Sequence, residues 1–128
     1  MSLNSLSLAL TALAYGGFGT WLLMSPSSME AVGLAMTGPA GYTEIRAFYG
    51  GLELGCAAFF VLAALRPGWH VPGLVLQATS LGGAALGRVL GLVVDGTRDG
   101  LVYGLLAAEA FAAVVAVALL WRTVRTDA

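Results

Sequence analysis

Cysteine, histidine and lysine are scarce in this chain, which has one Cys, one His and no Lys among its 128 residues. A single cysteine, Cys56, excludes a disulfide within the chain and any metal site built from cysteines. A single histidine excludes a bis-histidine haem or a zinc site made by one chain. The six arginines form no basic cluster and the net charge is −1, which argues against nucleic-acid binding. These residues identify no cofactor.

Hydrophobic residues make up 59% of the chain and charged residues only 10%, far from the usage of soluble proteins. Four apolar stretches are each close to the ~20 residues that cross a bilayer core, and Pro or Gly stands where most of them stop. The predicted helices cover residues 3–24, 44–65, 71–94 and 101–121. We therefore predict an all-α integral membrane four-helix bundle that forms a single domain over residues 1–128.

The segment between the first two spans has a helical pattern of its own. Ser27 followed by Glu30 is typical of a capping box at a helix start. Apolar residues then recur on one helical face: Met29, Val32 and Met36. With Gly38-Pro39 as its end, this pattern predicts a short helix lying in the membrane interface, where it could cover the mouth of a pocket.

The arginines outside the spans are distributed unevenly. With four spans, both termini share a side with the connection that contains Arg66, and Arg122 and Arg125 add to that side. The opposite loops carry Arg98 together with Glu30, Asp95 and Asp99. The positive-inside rule then predicts that both termini lie in the cytoplasm.

Five ionisable residues fall inside the predicted spans: Glu44, Arg46, Glu53, Arg88 and Glu109. A charge in the bilayer core is costly unless it is paired or faces water, so such residues point to a functional site. At a rise of about 1.5 Å per residue, Arg46 lies near the outer interface and Glu53 roughly 13 Å deep. Arg88 and Glu109 fall in the same outer half or midplane, which predicts that the charges meet in one pocket.

The positions of these residues around each helix also favour one shared pocket. Arg46, Tyr49 and Glu53 are spaced i, i+3, i+7, which places them on one helical stripe. On the third span, one face contains Gln77, Ser80, Ala84, Arg88, Gly91 and Asp95.

Glycines could bring such faces together. The spacing Gly51-x-x-x-Gly55 on the second span and Gly83-x-x-x-Gly87-x-x-x-Gly91 on the third allows helix backbones to approach closely. The neighbouring helix could belong to the same chain or to another copy, so a homo-oligomer is one alternative.

A structural role is the other interpretation of the charges. They could form ion pairs that fix the helix register while adding little net stability, Arg46–Glu53 or Arg88–Glu109. Glu44 could be an acid in the first turn after Thr43, where the helix dipole favours it. Three carboxylates facing two guanidiniums leave one acid in excess, so one midplane Glu could be protonated and relay a proton.

Several of these residues lie in segments that are similar to a known family. The run EIRAFYGGLE over residues 44–53, the run GRVLG over residues 87–91 leading to Asp95-Gly96, and a Glu in the last helix resemble a bacterial family of small four-helix membrane proteins of unknown function. The resemblance implies a multi-pass protein of the bacterial cytoplasmic membrane. It also implies joint importance for Glu44, Arg46, Tyr49, Arg88 and Asp95. It implies no activity.

We therefore expect a pocket that binds or transports a small amphipathic or charged molecule taken from the outer leaflet of the bilayer. The arginines would bind an anionic head group, and a midplane Glu would exchange a proton. The expected lining is Arg46, Tyr49, Glu53, Arg88 and Glu109, with Glu44 and Asp95 as further candidates.

Two other functions remain open at this point. An enzyme, an isomerase or redox enzyme acting on a lipid or quinone, could use a Glu–Arg–Tyr set for acid/base chemistry. An accessory subunit of a larger membrane complex could use the glycine faces for docking and the charge pairs for register.

Overall fold

The computed structural model describes residues 1–126, and its regular structure there is entirely helical. The α-helices, in chain order, are α1 (Leu3–Met24), α2 (Pro39–Glu44), α3 (Leu52–Leu65), α4 (His70–Val94) and α5 (Gly100–Thr126). Two 3₁₀ helices cover Pro26–Val32 and Pro67–Trp69, and a π-helix covers Ile45–Gly51 between α2 and α3.

Within residues 1–126, four helical segments are long and apolar enough to cross a membrane: Leu3–Met24, Pro39–Leu65, Pro67–Val94 and Gly100–Arg125. This confirms the all-α prediction and the expected number of helices of membrane-spanning length, which is typical of a multi-pass membrane protein. The bounds predicted for the first span are those of α1. Asp99 caps α5, since its Oδ1 accepts a hydrogen bond from the Leu101 N–H at 2.7 Å.

The second span starts earlier than predicted. Its first residue is Pro39, with Gly38 as the N-cap, so Gly38-Pro39 begins this span and does not end the helix before it. Thr43 is not a cap either, because its Oγ1 donates a hydrogen bond to the Pro39 carbonyl one turn back. Glu44 ends α2 in the interior of the span, so the interpretation of Glu44 as a first-turn acid is wrong.

The short helix between the first two spans exists, but in another form. It is a 3₁₀ helix that begins after Ser25 and ends at Val32, and no side chain caps it, so the capping-box prediction is wrong. Gly33 follows with φ 82°, a left-handed conformation that glycine adopts without strain and that stops the helix. Met36 therefore lies beyond this helix and not on its face.

The chain divides into two compact units. The terminal unit contains residues 1–8 and the chain from residue 63 onward, in which α4 packs against α5. Leu8 and Leu74 are fully buried in it. A Cβ added at Gly73 would lie 2.7 Å from the Ala63 Cβ and 2.9 Å from a Leu8 methyl carbon, so only glycine allows this approach.

The central unit contains residues 9–62, with most of α1, the 3₁₀ helix, α2, the π-helix and nearly all of α3. Phe60 is fully buried, and its ring lies 5.3 Å from the ring of Tyr15. The π-helix approaches α1 at Gly50, where an added Cβ would lie 3.0 Å from the Leu23 Cα. This contact fixes the end of α1 against the segment that carries Arg46.

Candidate functional site

The terminal unit contains one of the two predicted ion pairs. The Arg88 guanidinium donates from Nε to Glu109 Oε2 at 2.7 Å and from a terminal nitrogen to Oε1 at 2.8 Å. The two side chains are 31% and 15% exposed. A two-point contact of this kind orients both groups and joins α4 to α5.

Two residues of the polar face predicted on the third span, Gln77 and Arg88, contact the neighbouring helix α5. Gln77, only 1% exposed, donates from Nε2 to the Ala112 carbonyl of α5 and to the Ser7 hydroxyl, and its Oε1 accepts from that hydroxyl. His70 is also buried, with Nε2 3.1 Å from the Ser5 hydroxyl oxygen. Ser5 and Ser7, at the start of α1, were not among the residues predicted from the sequence. Their hydrogen bonds to His70 and Gln77 of α4 account for polar side chains at these positions.

The remaining predicted site residues occupy different settings. Asp95 is exposed directly after α4, and its N–H donates to the Gly91 carbonyl at 2.8 Å. Glu44 and Tyr49 are exposed in the central unit, and Tyr49 belongs to the π-helix. Glu53 is half-buried in the first turn of α3. The convergence of all seven residues in one pocket stays a prediction.

Arg46 ties the π-helix to the end of α1. Its Nε donates a hydrogen bond to the Leu23 carbonyl at 3.1 Å. The last carbonyls of an α-helix lack partners within the helix, and a cation at that end also suits the helix dipole. Within residues 1–126 Arg46 makes no ion pair with Glu53, so that alternative is wrong.

Arg46 also lines a groove of about 830 Å³ in the central unit. The groove lies among the end of α1, the start of the 3₁₀ helix and the first turns of the second span. Its other lining residues are Met24, Ser25, Pro26, Ser27, Met36, Thr37, Gly38, Pro39, Tyr42 and Thr43. Arg46 is the one charged residue in this described lining, so the lining contains a cation and no carboxylate.

Residues with hydroxyl groups line the same groove as Arg46. Among the described residues, the side chains of Ser25, Ser27, Thr37 and Tyr42 make no hydrogen bond to the protein, which leaves their hydroxyls available as donors. None of these four residues was among the site residues predicted from the sequence. A visible signal was present, because hydroxyl residues and prolines cluster between two long apolar stretches. Because these hydroxyls and Arg46 line one groove, they can together bind an anion through several hydrogen bonds.

A metal site finds no support in the part of the chain that the structure describes, where no group of three or more His, Cys, Asp or Glu side chains could hold an ion. The chemistry that the groove can perform is anion recognition by a guanidinium and hydroxyls.

Comparison with known families gives one match. The sequence profile of a family described as Domain of unknown function (DUF4345) matches residues 3–120. The chain belongs to the DUF4345 family. The match covers three of the helical segments that could cross a membrane in full and most of the fourth, in agreement with the resemblance to a family of unknown function. Curated proteins and solved structures show no match to this chain.

Proposed function

We propose that this DUF4345 protein crosses the bacterial cytoplasmic membrane four times, with both termini in the cytoplasm, and binds or transports a small anionic molecule. The groove at Arg46 is the binding site in this proposal. The observation that carries it is the exposed guanidinium of Arg46, set in a groove whose described lining contains hydroxyls and no acid.

The surroundings of Arg46 favour a ligand role in addition to a structural one. Its Nε is engaged by the Leu23 carbonyl, which holds the side chain in one orientation. The terminal nitrogens of the guanidinium retain their N–H groups, which can donate in parallel to an oxyanion. A π-helix at this point is a further indication, because π-helical turns are frequent at functional sites.

The Arg88–Glu109 pair has a structural role in this proposal. Each oxygen of the Glu109 carboxylate already accepts a hydrogen bond from Arg88, which is typical of a pair that fixes helix register. Glu53 and Tyr49 follow Arg46 on the same span and are candidates for the wall that a transported molecule would pass.

Native mass spectrometry on gently solubilised protein tests the proposed site. We expect wild type to retain a small anion that Arg46→Gln loses. Arg98→Gln is the matched control, because Arg98 is an exposed arginine outside the spans and outside the groove lining. Retention of the same anion by Arg46→Gln, or its loss from both variants, would contradict the assignment of the groove.

A further inference from the structure

An apolar strip on α1 leads from the groove toward the middle of the first span. It consists of Phe18, Trp21 and Met24, which are 43%, 52% and 75% exposed. The rings of Phe18 and Trp21 lie 5.9 Å apart, and Met24 is itself part of the groove lining. From Met24 back to Phe18 the strip runs about 9 Å along the helix axis.

We propose that the occupant of the groove is a membrane amphiphile with a monoanionic head group and a hydrocarbon chain. The head group binds the guanidinium of Arg46, and the chain lies along the Phe18–Trp21–Met24 strip. This inference rests on the proposed function and specifies its ligand.

The charge of the groove selects the head group. One guanidinium balances one negative charge, and no second cation belongs to the described lining. A carboxylate or a phosphodiester fits this balance. A phosphate monoester carries about 1.5 to 2 negative charges at neutral pH, so part of its charge would stay uncompensated. The hydroxyls of Ser25, Ser27, Thr37 and Tyr42 add neutral donors to the head-group oxygens.

The position of the strip, on the first span beside the groove, favours an amphiphile over a water-soluble anion. The groove opens where the first span ends, and the strip continues from Met24 into that span. A molecule already dissolved in the bilayer places its polar end at this level, with its chain beside the exposed rings. Membrane partition also raises the concentration of such a molecule at the groove.

Quenching of Trp21 fluorescence tests this arrangement. The variant Trp69→Phe/Trp121→Phe leaves Trp21 as the single tryptophan of the chain. This protein, in nanodiscs of zwitterionic lipid, is titrated with stearate that carries two bromine atoms on its chain, since bromine quenches indole at close range. Brominated lysophosphatidylcholine serves as the zwitterionic probe, and unlabelled butyrate tests whether a short anion competes.

We expect saturable quenching by brominated stearate, with binding weakened about tenfold or more by Arg46→Gln because a charged hydrogen bond is lost. Arg98→Gln should leave the binding unchanged. Thr37→Glu should weaken binding similarly by placing an acid in the groove lining, and it leaves the contact between Arg46 and Leu23 in place. Thr97→Glu is its control in another loop.

Each contrary result has a separate meaning. Equal affinity for the zwitterionic probe would overturn the monoanionic head group. Displacement of brominated stearate by butyrate at equal concentration would overturn the role of the chain and leave anion binding at Arg46 intact. Saturable quenching that persists unchanged in folded Arg46→Gln and Thr37→Glu would overturn the head-group site. Absence of binding by any anion would refute the proposed function itself.

Discussion

The guanidinium of Arg88 on α4 binds both oxygens of the Glu109 carboxylate on α5, at 2.7 Å and 2.8 Å. Only arginine among the cationic side chains presents two parallel N–H donors in this fixed geometry. The contact therefore sets the axial position of α4 relative to α5.

Replacing one partner of this pair should lower the stability of the protein more than replacing both. Arg88→Leu or Glu109→Leu breaks the ion pair around the half-buried charge that remains, and we expect either to lower the free energy of unfolding by about 3–5 kcal/mol. The double variant should recover most of that loss. Thermal unfolding in detergent micelles measures the three variants. Equal losses in the double variant and the two single variants would show that the pair adds net stability.

Gly50 should be intolerant of a side chain. Gly50→Ala places a Cβ 3.0 Å from the Leu23 Cα, and backbone there cannot yield without moving α1. We expect a loss of about 1–3 kcal/mol of stability, together with weaker ligand binding at Arg46. Gly51→Ala is the neighbouring control, because its Cβ would lie at an ordinary 3.7 Å from the Arg46 carbonyl oxygen. Equal effects of the two substitutions on the midpoint of unfolding would contradict this view of the contact.

Gln77 should contribute more to the free energy of unfolding than a polar residue on the exposed face of α4. Gln77→Leu keeps a similar volume but leaves the Ser7 hydroxyl without its partner, so we expect a loss of about 1–3 kcal/mol. Thr79→Val is the comparison, since Thr79 is exposed and bonds only carbonyls of its own helix; it should change stability by about 0.5 kcal/mol or less. Chemical unfolding of the two variants in micelles distinguishes them.

The cap of α5 should be replaceable by another cap. Asp99→Ala removes the acceptor of the Leu101 N–H, and we expect it to cost about 0.5–2 kcal/mol. Asp99→Asn retains an oxygen at that place and should remain close to wild type. Hydrogen exchange of the first amides of α5 reports the same change locally. Unaltered exchange in Asp99→Ala would show that the cap contributes nothing to this helix end.

Local sequence was sufficient for three helix ends. Both ends of α1 and the cap at Asp99 follow from apolar run length and from side chains adjacent to the end. The stripe that contains Gln77 and Arg88 was also predictable, because helical periodicity places residues on a face without knowledge of the partner helix. The contacts of both residues with α5 agree with that stripe.

The start of the second span was not predictable in the same way. Gly38-Pro39 can end one helix or begin the next, because Pro lacks an N–H and has the fixed φ that suits a first helical position. The π-helix at Ile45–Gly51 likewise has no simple local signal. It occurs where Gly50 meets Leu23, so packing and not composition accounts for its position.

The amino-acid sequence by itself determined the number of apolar helices, the scarcity of metal ligands and the identity of the few charged residues. Those properties depend on composition and on the length of each run. Only the tertiary structure decided which partners the charges take: Arg88 meets Glu109, whereas Arg46 meets the Leu23 carbonyl. The groove at Arg46 has the same origin, because its walls come from three segments whose approach depends on close contact between glycine and helix backbone.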